Sequence, residues 1–249
     1  MIELSAHGIS LPDAYHNALR VLFWHGLNVP CPDYGTNQRE VSMTMTVKKP
    51  LVEPMISRLF IGGPRELEQY RQEILDGILD FEIERGNWAY TYHDRIASQL
   101  PFIYEELRRN PYSRRAVISV RAEEDIGSSD PACLQHIQYF VRDNALHCKV
   151  LFRSNDAVKA TFMNAFALIM LQKRIADELG YEMGTYIHRA NSFHVYERDF
   201  EMLHGYAKRV INSVDKSDIT YNYKGEWKDI MDAYKPEIAA MVKELKSRG

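Results

Sequence analysis

Three cysteines in 249 residues, Cys31, Cys133 and Cys148, are too few and too odd in number for a disulfide framework. The expectation is a reducing, cytoplasmic compartment. No apolar run reaches the roughly 18 residues needed to span a bilayer, and the N-terminus lacks a basic region followed by an apolar one. No excess of positive charge is present either. The formal net charge of -3 gives no general electrostatic pull towards nucleic acid or an anionic membrane. An anionic small molecule would therefore have to be met by a local arginine cluster. No Pro/Gly/Ser-rich linker, internal repeat or low-complexity tract interrupts the chain. With 45% hydrophobic residues it can bury one substantial core, and a single domain over residues 1–249 is expected.

What is there begins with periodicity. Residues 11 to 26 place Tyr15, Ala18, Leu19, Leu22 and Phe23 at helical spacing, with Gly26 as the stop. The run VSMTMTV after the loop CPDYGTNQREV alternates as a strand. Residues 64 to 80 open with proline and carry Leu67, Tyr70, Ile74 and Leu75 on one face, which predicts a second helix. Residues 86 to 96 read as strand or turn, 94 to 108 as a helix ended by Asn110-Pro111, and AVISV as a buried strand. HIQYFVR and ALHCKVLF alternate around Asp143-Asn144 and form a hairpin. Asn164 starts the apolar helix NAFALIMLQKRIADELG, two strand segments flank Ala190-Asn191, and 236 to 246 form an amphipathic surface helix.

The hairpin brings Cys133 back towards Arg153, Ser154 and Asp156. A guanidinium beside a thiol favours thiolate, the nucleophilic form. Asn164 follows Asp156 by eight residues, and Asn110-Pro111-Tyr112-Ser113-Arg114-Arg115 precedes a core strand. His194 and Tyr196 lie two apart in a strand and share one face. Each also has a plainer reading. A lone cysteine is usually an inert hydrophobe, adjacent arginines are usually solvated, and an asparagine at a helix start usually caps it.

Taken together, Cys133, Gln138-Tyr139, Arg142-Asp143, Arg153-Ser154-Asn155-Asp156, Asn164 and Ser192-Phe193-His194-Val195-Tyr196 resemble thymidylate synthase and the related pyrimidine nucleotide hydroxymethylases. The resemblance covers roughly residues 64 to 200, with a divergent helical segment over about 211–249. It implies an α+β fold with a large mixed sheet covered by helices. It also implies 5,10-methylenetetrahydrofolate as co-substrate, no metal, and a homodimer in which Arg114 and Arg115 reach the partner's phosphate site. By the same resemblance Cys133 is the nucleophile and Arg153 contacts phosphate and thiolate. Ser154 contacts phosphate, Asp156 binds the pterin, Asn164 faces the base, and His194 and Tyr196 hold the sugar hydroxyl. Glu66, in an Arg-Glu-Leu-Glu-x-Tyr context, takes the place of the catalytic glutamate; its plain alternative is a first-turn helix charge.

Four departures shape the functional expectation. Asp33-Tyr34-Gly35 stands where the family carries a phosphate-gripping arginine, and Arg39 is the nearest substitute. Leu134 and Phe152 replace a histidine and a glutamine. The upstream tryptophans and the short apolar C-terminal tail that shield the synthase intermediate are absent. Those last absences favour water capture, hence C5 hydroxymethylation of a pyrimidine nucleoside monophosphate. Asn164 favours a uracil base, since its amide can accept from N3–H and donate to O4. Reductive methylation of dUMP is the alternative, and a nucleotide-binding relative without turnover is the reading from another class.

Overall fold

A computed structural model describes residues 1–248. Strand β1 (Glu3–Gly8) leads into helix α1 (Leu11–His25), which is closed at its start by a reciprocal box between Ser10 and Asp13. Strand β2 (Leu27–Cys31) follows, then β3 (Thr36–Val47) and the short β4 (Ile56–Ser57). Helices α2 (Pro64–Asp76), α3 (Phe81–Glu84), α4 (Tyr92–Ala97) and α5 (Leu100–Arg109) occupy the next stretch. The edge strand β5 (Val117–Ser119) precedes the hairpin β6 (Leu134–Arg142) and β7 (Ala145–Asp156). Helix α6 (Thr161–Leu179) crosses to β8 (Glu182–Tyr196), and α7 (Phe200–Asn212), β9 (Thr220–Tyr221) and α8 (Lys228–Ser247) complete the chain.

The main sheet has the order β1-β3-β8-β7-β6-β5, with β2 also on β3; β4 and β9 form a separate pair. It is mixed. β1–β3 and β7–β8 are parallel, joined through α1 and α6, and the remaining pairs are antiparallel. Helix α6 is the centre of the core, with thirteen of its residues buried, because its apolar side chains run nearly all round it. The opposite sheet face stays partly open. Along β7, Leu146, Cys148, Val150 and Phe152 are buried while His147, Lys149 and Leu151 are not. The β6–β7 turn puts Asp143 and Asn144 at φ 50° and 59°, the pair of left-handed residues whose twist suits a two-residue hairpin.

The α+β architecture, the hairpin and most elements follow the sequence reading. Five details differ. Tyr92 opens a helix rather than a strand, capped by Thr91, whose hydroxyl accepts from Asp94 N. The expected helix over 94 to 108 is two helices broken at Ser98-Gln99, where Pro101 lies in the first turn of the second. β8 is one strand through Ala190-Asn191, but it carries one extra residue there: Val41 pairs with Phe193 and Met43 with Ala190, so Asn191 and Ser192 together face Ser42 in a bulge. α6 begins at Thr161, so Asn164 lies inside its first turn and does not cap it. The last helix starts at Lys228 and passes through Pro236.

Candidate active site

Strand register assembles the cluster. Cys133 immediately precedes β6, and its carbonyl accepts from Arg153 N at 2.8 Å. Two strands over, Ser154 pairs with Ser192 and Asp156 with His194. On the far side of β8, His194 pairs with Glu40 and Tyr196 with Gln38. The end of β7, the start of β6, the end of β8 and the start of β3 thus share one edge of the sheet, and α6, with Asn164 in its first turn, follows from the end of β7.

Cys133 is half-buried. Burial pushes its thiol above the ordinary range, Arg153 opposes this, and Asp130 adds to it. The expectation that Arg153 would leave the thiol easily ionised is therefore corrected by desolvation. The guanidinium is aimed elsewhere, with Nε donating to Ala132 O at 3.3 Å and Nη2 to Pro131 O at 2.8 Å. Tyr92 holds the neighbouring backbone, its hydroxyl accepting from Leu134 N at 3.2 Å.

Asp156 spends one carboxylate oxygen on the turn into α6, accepting from Val158 N at 3.0 Å and Lys159 N at 2.9 Å. His194 is buried. Its Nδ1 lies 3.2 Å from the Ser192 carbonyl, 3.4 Å from Ser154 Oγ and 3.5 Å from Ser192 Oγ. Nε2 is buried without a partner among the described residues. In the tautomer with the proton on Nδ1, donating to the carbonyl, Nε2 is an acceptor that a ligand hydroxyl satisfies. Tyr196 stands edge-on to the His194 ring at 4.8 Å, and Tyr34 packs on Tyr196 at 5.2 Å, so the loop carrying Asp33 borders the site.

Two expected members make local contacts in this structure. Glu66 is exposed and folds back to accept from Gly63 N at 2.9 Å, closing the first turn of α2, where free amides and the helix dipole draw a carboxylate. Arg39 is committed to the end of α1, donating to Phe23 O at 2.7 Å, Leu22 O at 3.2 Å and Asn28 Oδ1 at 3.2 Å. It is thus no substitute for the missing phosphate arginine. Arg114 and Arg115 are exposed beside the edge strand. The β5–β6 register, continued, sets Arg115 opposite Phe140, seven residues from Cys133. That is on the order of 20 Å at ~3.3 Å per residue.

The residues that the sequence reading left out of the site are aromatic. Tyr70, on α2, donates its hydroxyl to Asn164 Oδ1. Its surroundings include Tyr92, Glu73, Cys133 and Tyr90. Tyr70, Glu73, Trp88, Tyr90, Tyr92 and Asp130 line a cavity of about 480 Å³ beside the thiol. The signal was present in WAYTY, whose aromatic density exceeds what a surface loop needs, and in Tyr70, read as a core residue. Asn155 is a further one. Its Oδ1 accepts from Thr161 Oγ1 at 2.7 Å and lies 2.9 Å from His188 Nε2, tying β7 and β8 to the start of α6.

A family model described as thymidylate synthase matches residues 63–240, well beyond Tyr196, where the last motif legible in the sequence ends. A Methanocaldococcus jannaschii protein, provisionally named thymidylate synthase, is 36% identical over 155 residues, 58% of this chain and 69% of its own. The thymidylate synthase of Bacillus licheniformis is 29% identical over 171 residues, 68% of this chain and 61% of its own. Among solved structures, the thermostable thymidylate synthase A from Bacillus subtilis shares the fold. Its TM-score is 0.65 at 17% identity, over 80% of this chain and 84% of that one.

Proposed function

Because the chain belongs to the thymidylate synthase family, we propose that it transfers a one-carbon unit from 5,10-methylenetetrahydrofolate to C5 of a uracil nucleoside monophosphate. The observation that carries this reading is the convergence of Cys133, Arg153, Ser154 and His194 on one sheet edge, with Asn164 bonded to Tyr70 in the wall of an aromatic cavity. In the proposed sequence the Cys133 thiolate adds to C6, and the electron pair displaced from the C5–C6 bond makes C5 nucleophilic. C5 then bonds to the folate-borne carbon and loses its proton to water, the bond from that carbon to the folate nitrogen breaks to leave an exocyclic methylene, and once the methylene has taken up hydride or water the C6–S bond breaks and returns the Cys133 thiolate. The folate supplies that carbon and, for a methyl product, the hydride that reduces it. Asn164 orients the base, His194 Nε2 accepts from the sugar hydroxyl, and Tyr196 closes against it. Ser154 and Arg153 face the phosphate, the latter once its guanidinium leaves the Pro131 and Ala132 carbonyls.

Tyr70, Trp88, Tyr90 and Tyr92 supply an aromatic wall where the sequence reading expected little shielding. Together with the names of the relatives, this supports reductive methylation over hydroxymethylation. Water capture stays as the second reading, favoured by one observation: Trp88 is 44% exposed at the cavity rim. Arg114 and Arg115 lie too far from Cys133 to serve their own chain, which supports a homodimer with arginines exchanged across the open sheet face. Mass spectrometry of products from dUMP, UMP, dCMP and CMP with methylenetetrahydrofolate tests the reading. A gain of CH2 with dihydrofolate is expected. A gain of CH2O with tetrahydrofolate would establish hydroxymethylation, and no product from any of the four would refute one-carbon transfer.

A further inference from the structure

We propose that the cavity of about 470 Å³ where β1 and β3 end is a second binding site, one that takes a dianionic phosphate group. The two parallel strands finish side by side there, Gly8 against Val47. His7 comes from β1, Lys48 follows β3, His16 and Arg20 stand one turn apart on α1, and Lys216 belongs to the loop after α7. On β3, Glu40 pairs with His194 of the candidate active site, and Lys48 is eight residues further along. That is on the order of 25 Å at ~3.3 Å per residue, so the two sites are separate.

The charges in the lining favour an anion. Asp13 is the one carboxylate among them, and it already accepts from Lys216 Nζ at 2.6 Å and from Ser10 N at 3.4 Å. Arg20 and Lys48 are exposed and have no carboxylate partner among the described residues. In a chain of net charge -3, two unpaired cations on one cavity make a local positive field, which a dianion matches.

Exposed cations by themselves are ordinarily just solvated. What sets this place apart is His16 in its wall, only 5% exposed. Its Nε2 lies 2.7 Å from Ser57 Oγ. That oxygen already accepts from Leu59 N at 3.0 Å, Ser57 is 1% exposed, and its own proton has no other acceptor among the described residues. The hydroxyl therefore donates to Nε2, which leaves the ring proton on Nδ1. Nδ1 has no partner among the described residues, so the wall presents a buried N–H that a ligand oxygen satisfies. Burial pushes His16 down to about 4; Asp13 opposes this, while Lys216 and Arg209 reinforce it. The ring is thus neutral at pH 7 and supplies direction, while Arg20 and Lys48 supply charge. A phosphate alone does not fill the space. Val210 and Ile219 border the remainder, an apolar surface for the organic part of a small phosphomonoester.

The test is NMR of the full chain near neutral pH, following the assigned His16 ring signals during titration with inorganic phosphate and with ribose 5-phosphate. Ionic strength is held constant with potassium chloride. A saturable shift of the His16 signals is expected, with affinity about tenfold weaker in the Arg20→Gln/Lys48→Gln double variant. Thermal unfolding reports whether that variant is folded. Tighter binding of ribose 5-phosphate than of phosphate assigns the site to a phosphomonoester; equal or weaker binding assigns it to free phosphate. No saturable shift with either probe, or the same affinity in the folded double variant, would overturn the inference. Should the double variant not fold, Lys48→Gln alone is expected to weaken binding about threefold, and an unchanged affinity is equally fatal. Tritium release from 5-tritiated dUMP, measured alongside, keeps this result apart from the one-carbon reading, because neither Arg20 nor Lys48 belongs to that site.

Discussion

Cys133 shows how a single residue's chemistry is set by opposing effects, of which burial is the largest. Its half-burial disfavours thiolate, Arg153 favours it, and Asp130 sides with burial, so the thiol titrates above the ordinary range. Since thiolate is the reactive form, alkylation of Cys133 by iodoacetamide in the free protein should rise with pH through a midpoint above that of an unperturbed cysteine, near 8.5. Arg153→Gln removes the one favourable charge and should move that midpoint further up. A midpoint at or below the unperturbed value, or a downward shift in Arg153→Gln, would refute this balance. Peptide mapping by mass spectrometry separates Cys133 from Cys31. Cys148 is fully buried with its thiol pushed well up by desolvation, so it should stay unlabelled.

Among the elements, α1 depends on a residue from another strand. Near its end Leu22 O accepts from Gly26 N at 2.9 Å, and Arg39 on β3 donates to both Leu22 O and Phe23 O. Its role is therefore structural. Arg39→Ala should lower stability by about 1–2 kcal/mol, the scale of hydrogen bonds from a charged donor. Urea unfolding measures it, and a variant as stable as wild type would show that water replaces the guanidinium at no cost. Helix α8 is tied down similarly at its end, where Arg85 donates to Leu245 O at 2.9 Å and Lys246 O at 2.5 Å. Since Arg85 stands three residues before Trp88, the last helix and the cavity wall share an anchor.

For the whole molecule, the decisive feature is the separation between the exposed Arg114-Arg115 pair and Cys133. If each site borrows arginines from a second copy, Cys133→Ala and Arg115→Ala should each be inactive alone and recover activity when mixed. Random subunit exchange gives up to roughly a quarter of the wild-type sites, because each mixed dimer holds one intact site. Sedimentation should show a dimer. A monomer, or two inactive variants that stay inactive after verified exchange, would refute the shared site. Among the described residues, no helix is long and apolar enough to cross a membrane.

Much of this protein is determined locally and was therefore legible in the sequence. Alternation specified β6 and β7 because a strand's side chains point to opposite faces, and Asp143-Asn144 suited the turn because short polar residues tolerate left-handed backbone. Motif spacing singled out Cys133, Arg153, Ser154, Asn164 and His194, and strand pairing brings Cys133, Arg153, Ser154 and His194 to one sheet edge. Contacts between residues far apart in the chain were decided only in three dimensions. Arg39 could be read as a ligand for phosphate until α1 was seen to end beneath it. The contact of Glu66 with Gly63 N became visible only in the fold. Tyr70 joined Asn164 across 94 positions of sequence. The direction of the Cys133 shift depends on desolvation, and desolvation belongs to the packed whole: no residue carries its own burial in its name.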